Sequence, residues 1–167
     1  MKFEEKEWLE KEGFEGFLKI KDLKEQEYLL STIPTQSGVY VSLRLSNDKP
    51  KFCEVSTGGH YEGKDPKKPI AKLQKKWVED SVIMYIGESC NLQERISLYL
   101  EFSQGKAVRH WGGRYVWQLE DADDLVVCWK VCKNAEDKKY EMLTDFKAEH
   151  GALPFANIVL RKYDKEC

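Results

Sequence analysis

Nothing in this 167-residue chain approaches the ~18–20 consecutive apolar residues of a bilayer crossing, which excludes a membrane-spanning helix. The opening "MKFEEKEWLEKEGF" is acidic and has no apolar h-region of an export signal, so a cytoplasmic location is expected. Cysteine is sparse: Cys53, Cys90, Cys128, Cys132 and Cys167 are odd in number and scattered, and without an export signal all are expected to be reduced thiols. Cys128 and Cys132 lie four apart inside the strand-like "LVVCWKVC", a spacing that no zinc knuckle uses. An excess of basic residues is missing too, with 27 Lys and Arg against 29 Asp and Glu and a net charge of −2. Bulk charge therefore implies no dedicated duplex-binding domain, and any nucleic-acid contact must come from a local patch. Internal repeats and low-complexity linkers are also missing.

What is present describes an ordinary globular protein: 41% hydrophobic and 34% charged residues, in a chain long enough to bury one core as a single domain. Basic residues concentrate locally in "GKDPKKPIAKLQKKW" and "KAVRHWGGR".

Local patterns give a mixed order of elements. Asp22–Leu30 predicts a short helix with Asp22 as N-cap, broken by Pro34 and Gly38. "VYVSLRL" alternates Val39, Val41, Leu43 and Leu45 with Tyr40, Ser42 and Arg44, a period-2 strand, and "KFCEV" reads as a second strand. Ile70, Leu73 and Trp77 recur at helical spacing, and "SVIMYIG" reads as a buried strand. Asn91, with Glu94 three residues on, caps a helix running to about Phe102. "GGRYVWQL" and "DLVVCWKV" predict two more strands across the acidic turn "EDADD". Asn134 caps a further helix that ends at Gly151, and "FANIVLRKY" reads as a last strand or extended tail. Without regular β-α-β alternation, the expected class is α+β, a sheet with helices packed on it.

One phosphate motif fails on inspection. "GGHYEGKD" (Gly58–Asp65) nearly matches G-x4-G-K-[ST], but an aspartate replaces the magnesium-binding hydroxyl. Pro66 and Pro69 also follow where a helix N-terminus would cradle phosphate.

A second pattern is more specific. "YIGESCNLQERISLYL" supplies Tyr85-Ile86-Gly87, then Asn91-Leu92 at a helix start, Arg95 within it and Tyr99 one turn on. "SGVY" ends in Tyr40, and "PFAN" (Pro154–Asn157) gives a closing Pro-x-x-Asn. Together these resemble the GIY-YIG nuclease superfamily, in particular the matching segment of bacterial excision-repair nucleases, with Val39 standing for the isoleucine of the first motif. The resemblance covers a core of about 38–157, leaves 1–36 as an N-terminal extension and makes about 47–79 an insertion. It implies a small, mostly antiparallel central sheet flanked by helices.

The resemblance also implies a chemistry. Phosphodiester hydrolysis needs a deprotonated water and charge stabilisation on the phosphate. On that basis Tyr40 and Tyr85 assist the water, Arg95 grips the scissile phosphate, and a helix glutamate holds one Mg²⁺ or Mn²⁺. Gly87 allows the turn between strand and helix. Where many relatives carry a lysine directly after YIG, this chain has Glu88. The position of the helix glutamate stays open. Registering Met142, Leu143 and Phe146 on the family pattern puts Lys139 there, and other registers put Glu136 or Glu141 there. Helical projection places Glu136 and Lys139 on the arc of Tyr140, Met142, Leu143 and Phe146, with Glu141 on the far side. Glu136 is thus the preferred metal ligand and Glu141 the alternative. Were Lys139 the true counterpart, Glu88 and Lys139 would be a charge swap that keeps the anion pocket and removes the metal.

"RHWGGRYVWQL" joins a titratable ring, a stacking surface and cations around a Gly-Gly pair. His110 is a candidate auxiliary acid or base, and Arg95, Tyr99, Arg109, Trp111 and Arg114 are candidate nucleic-acid contacts. Two functions are expected: a metal-dependent endonuclease acting on DNA, or an inactive module of the same fold binding nucleic acid or protein. Oligomeric state is open.

Overall fold

Three glutamates in the first turn and a lysine in the last suit the dipole of a helix, and α1 spans Glu4–Lys11 in the computed structural model, which describes residues 4–162. After it come β1 (Glu15–Lys19) and α2 (Ile20–Glu25). Burial of Ile20 and Leu23 sets the start of α2, so Asp22 lies in its first turn and is not the expected N-cap. The helix breaks after Glu25 and continues only as a 3-10 turn over Glu27–Thr32. The remaining elements are β2 (Gly38–Leu43), α3 (Ile70–Lys76), β3 (Ile83–Ser89), α4 (Leu92–Ser103), β4 (Val126–Val131) and α5 (Ala135–His150).

The four strands form one antiparallel sheet in the order β1-β4-β2-β3, so the α+β class with flanking helices is as expected. Two cores sandwich it. Leu9 of α1 and Met142, Leu143 and Phe146 of α5 pack on the side of Val39, Val41 and Leu43. Residues of α2, α3 and α4, together with Tyr115 and Trp117, pack on the side of Tyr40. Every residue of β2 is buried, including the polar ones. Burial without a partner would be costly, and each is answered. Tyr40 bonds His110 at 2.7 Å, Ser42 bonds Tyr99 at 3.0 Å, and Arg44, just beyond the strand, donates to Asp121 at 2.9 Å and to the Asp48 carbonyl at 2.8 Å.

Several local expectations fail for tertiary reasons. "KFCEV" contributes only an isolated bridge, Phe52 to Leu119, because Phe52 turns inward onto Trp77 and Phe155. "GGRYVWQL" winds into a 3-10 turn over Arg114–Gln118, in which Tyr115, Val116 and Trp117 are all buried. Asn134 precedes α5 without a side-chain cap bond, whereas Gly151 takes the left-handed C-cap as expected. Cys53, Cys128 and Cys132 are free thiols, but Cys90 is disulfide-bonded, against the expectation of reduced thiols throughout.

The stretch "PFAN" closes an exposed edge. β3 is the outer strand, and the Asn157 side-chain amide pairs with Ile86 as a neighbouring strand would, accepting from its N–H and donating to its carbonyl, both at 2.9 Å. The Ala156 N–H adds a bond to the Met84 carbonyl at 2.8 Å. Asn157 is buried, so Asn157→Ala is expected to cost about 1–3 kcal/mol by leaving both Ile86 groups unsatisfied. Urea unfolding measures it, and an unchanged midpoint would mean the edge contact is idle.

Candidate anion-binding site

A bulge aims the first residue of the site. Between Ser42–Tyr85 and Leu43–Ile83 the register of β2 and β3 slips by one residue, so Met84 and Tyr85 both face the Tyr40 side of the sheet. Two residues further on, Gly87 lies opposite Tyr40. A Cβ on Gly87 would stand 2.3 Å from the Tyr40 ring, so the glycine makes room for the tyrosine; it sits within β3 and does not form the turn. Gly38 has a similar reason, since its Cβ would lie 2.3 Å from the Lys130 carbonyl oxygen of β4.

The turn after β3 is built by Ser89 and Asn91. The Asn91 N–H donates to Ser89 Oγ at 3.0 Å, and Asn91 Oδ1 accepts from the Glu94 N–H at 3.1 Å to open α4. The Leu92 and Gln93 N–H groups donate to the carbonyls of Gln36 and Pro34. These helix donors are therefore engaged, and an anion here must be held by side chains. Arg95, one turn in, donates to the Arg109 carbonyl and so ties α4 to the "RHWGGR" loop.

Arg95 borders an open cavity of about 680 Å³. Among the described residues, Tyr85, Glu88 and Glu94 line it with four cationic side chains: Arg95, Arg109, Lys139 and Arg161. A chain of net charge −2 thus gathers, among its described residues, two carboxylates and four cations at one place. Burial opposes the charge on Arg95, but Tyr40, Tyr85 and Glu88 outweigh it and hold its pKa above the usual range.

Beneath the cavity lies a closed aromatic cluster. Tyr85 stacks on Tyr99 with ring centroids 6.0 Å apart, and Tyr99 meets His110 at 4.5 Å. Tyr40, Tyr99 and His110 are fully buried and do not line the cavity. Burial, reinforced by Tyr85, pushes the Tyr40 hydroxyl well above the ordinary phenol range, so it stays protonated. Burial first, then Arg95 and Lys139, hold His110 well below its usual value, so its ring is neutral.

The unfolded chain consequently takes up this proton before the folded one does. Stability from a neutral His110 is complete above about pH 6.5 and is lost as the pH falls from there toward the lower folded-state value. The Tm of the wild type should therefore drop more steeply than that of His110→Asn between about pH 7 and about pH 5. Parallel slopes would contradict this.

No family model, no curated protein and no solved structure matches this chain.

The residues expected at a nuclease site are thus separated by depth. Tyr85, Arg95 and Arg109 share the cavity, while Tyr40, Tyr99 and His110 support it from below. The buried Tyr99 has no surface for nucleic acid, and His110 is a partner of Tyr40, out of reach of a ligand in the cavity. Trp111 and Arg114 flank the Gly112-Gly113 pair, of which Gly112 lines the cavity.

The metal expectation does not fit the donor set. Lys139 lines the cavity, and Glu136, one turn earlier on α5, does not. Glu141 is exposed and faces Lys138 at 4.0 Å. Among the described residues no three of His, Cys, Asp and Glu are grouped to hold a metal ion. Arg161 was missed by the motif, although the basic pair Arg161-Lys162 follows it by a few residues. Among the described residues no helix is long and apolar enough to cross a membrane.

Proposed function

We propose that this chain is a GIY-YIG-like nucleic-acid-binding module that grips a backbone phosphate in the Arg95 cavity and does not perform metal-dependent cleavage. Lys139 carries this reading. In the register that aligns Met142, Leu143 and Phe146 with the family pattern, it stands where the resemblance implies a glutamate, and it lines the cavity. A cation there repels a divalent metal and attracts the phosphate that the metal would have bridged. Arg95 and Arg109 can offer forked N–H donors to phosphate oxygens, and Lys139 adds a point charge. The neutral, buried Tyr40 and His110 suit this role because they hold the wall of the cavity in place without titrating near pH 7. Nucleic acid is favoured over a protein ligand because Trp111 and Arg114 place an aromatic ring and a further cation beside the cavity's Gly112.

Fluorescence anisotropy with labelled single-stranded and duplex DNA and RNA, paired with plasmid nicking in Mg²⁺ or Mn²⁺, tests the reading. Salt-sensitive binding without nicking is the expected result. Nicking that Arg95→Ala abolishes would restore the endonuclease reading, and no binding to any nucleic acid at low salt would overturn the proposal.

A further inference from the structure

Three cations, Lys68, Lys72 and Arg114, collect outside the cavity, two of them from the segment between β2 and β3. Arg114 begins the 3-10 turn that ends at Gln118. The Gln118 side chain clasps the backbone of Lys68, accepting from its N–H at 2.7 Å and donating to its carbonyl at 2.9 Å. Lys68 is thereby fixed against the turn that carries Arg114, and Lys72 follows in the first turn of α3. The Arg114 guanidinium lies 4.5 Å from the Trp111 ring centroid and 5.2 Å from that of Tyr115. It donates to the Trp111 carbonyl at 3.0 Å, while its buried Nε meets no partner.

Like charges held together in this way need an explanation. Among the described residues no carboxylate lies within ion-pair distance of Lys68, Lys72 or Arg114. Burial, then Lys72 and Arg114, depress the Lys68 ammonium, and burial, opposed by Tyr115, depresses the Arg114 guanidinium. An anion from outside would relieve that repulsion. The cluster is also close to the first site. Gly112 lines the cavity and Arg114 follows two residues later, a span of at most about 7 Å.

We infer that Lys68, Lys72 and Arg114 form a second phosphate-binding site, with Trp111 adjoining it, so that the ligand is a polynucleotide strand spanning both sites. This inference rests on the nucleic-acid reading of the cavity and adds that one phosphate is not the whole ligand. An isolated phosphate or mononucleotide engages Arg95 alone; a longer strand also meets the lysines.

The test uses the full chain, a labelled oligothymidylate of about 12 nucleotides and thymidine monophosphate as competitor. Lys68→Gln with Lys72→Gln leaves buried Arg114 in place. The double variant is expected to lose roughly tenfold in oligonucleotide affinity at low salt, with its log–log salt slope flattened by about 1.4, the share of two phosphate contacts on a single strand. Competition by the mononucleotide should match the wild type, whereas Arg95→Ala should weaken both ligands. Wild-type affinity and slope in the double variant, with binding still dependent on Arg95, would overturn the second site and leave the first standing. A wild-type chain that binds neither probe would overturn both.

Discussion

Replacing Arg95 with alanine is expected to weaken oligonucleotide binding by about ten- to a hundredfold, the loss of a charged, forked contact to phosphate. The physical case is positional. Arg95 borders the cavity and is steadied there by the Arg109 carbonyl, so its guanidinium is organised before a ligand arrives. Arg95→Lys should recover only part of the loss, because an ammonium keeps the charge and gives up the planar fork. The two variants separate charge from geometry in one anisotropy series. Unchanged affinity in Arg95→Ala would remove this cavity from the binding reading.

Gly87→Ala is the second large effect, and it acts through shape alone. The added methyl would meet three atoms of the Tyr40 side chain within 2.6 Å, and that side chain is held by its bond to His110 and by contacts with Tyr85 and Tyr99. A clash with a flexible side-chain end would be relieved cheaply; a ring locked in a buried cluster has nowhere to go. The variant should lose about 3 kcal/mol, lowering Tm by about 6–12 °C for a chain of this size. Oligonucleotide binding should weaken as well, since a displaced Tyr40 disturbs Tyr85 and Arg95 above it. A melting curve that matches the wild type would mean that the sheet relaxes at this position.

The junction from β3 to α4 was legible because its rules are local. An apolar run makes the strand, Asn91 caps the helix, and Leu92, Ile96 and Tyr99 at helical spacing fix which face turns inward. What stayed hidden depended on register and on partners distant in the chain. Gly87 resembles a turn residue until its cross-strand neighbour is known to be Tyr40. Projection of α5 puts Glu136 and Lys139 on one arc, and packing against the sheet decides which of them reaches the cavity. β1 escaped notice because its alternation is broken: Gly16 and Phe17 both have positive φ, and the pairing with β4 shifts between Gly16 and Leu18. "RYVWQ" carries residues that favour strands, yet it folds as a 3-10 turn with its aromatic and apolar side chains buried, and propensity alone does not give that outcome. Depth was equally out of reach: nothing local distinguishes Tyr85, which lines the cavity, from the closed Tyr40, Tyr99 and His110 layer under it.

The strand order has a consequence for the time course of folding. β1 pairs with β4, more than a hundred positions downstream, and the opposite edge is sealed by Asn157, 71 positions from the Ile86 that it covers. Neither margin of the sheet can be completed until these distant segments meet. A folding chain carries an open β-edge until they do, and pairings of such long range close slowly. The interval before that closure is when a chaperone has most to protect.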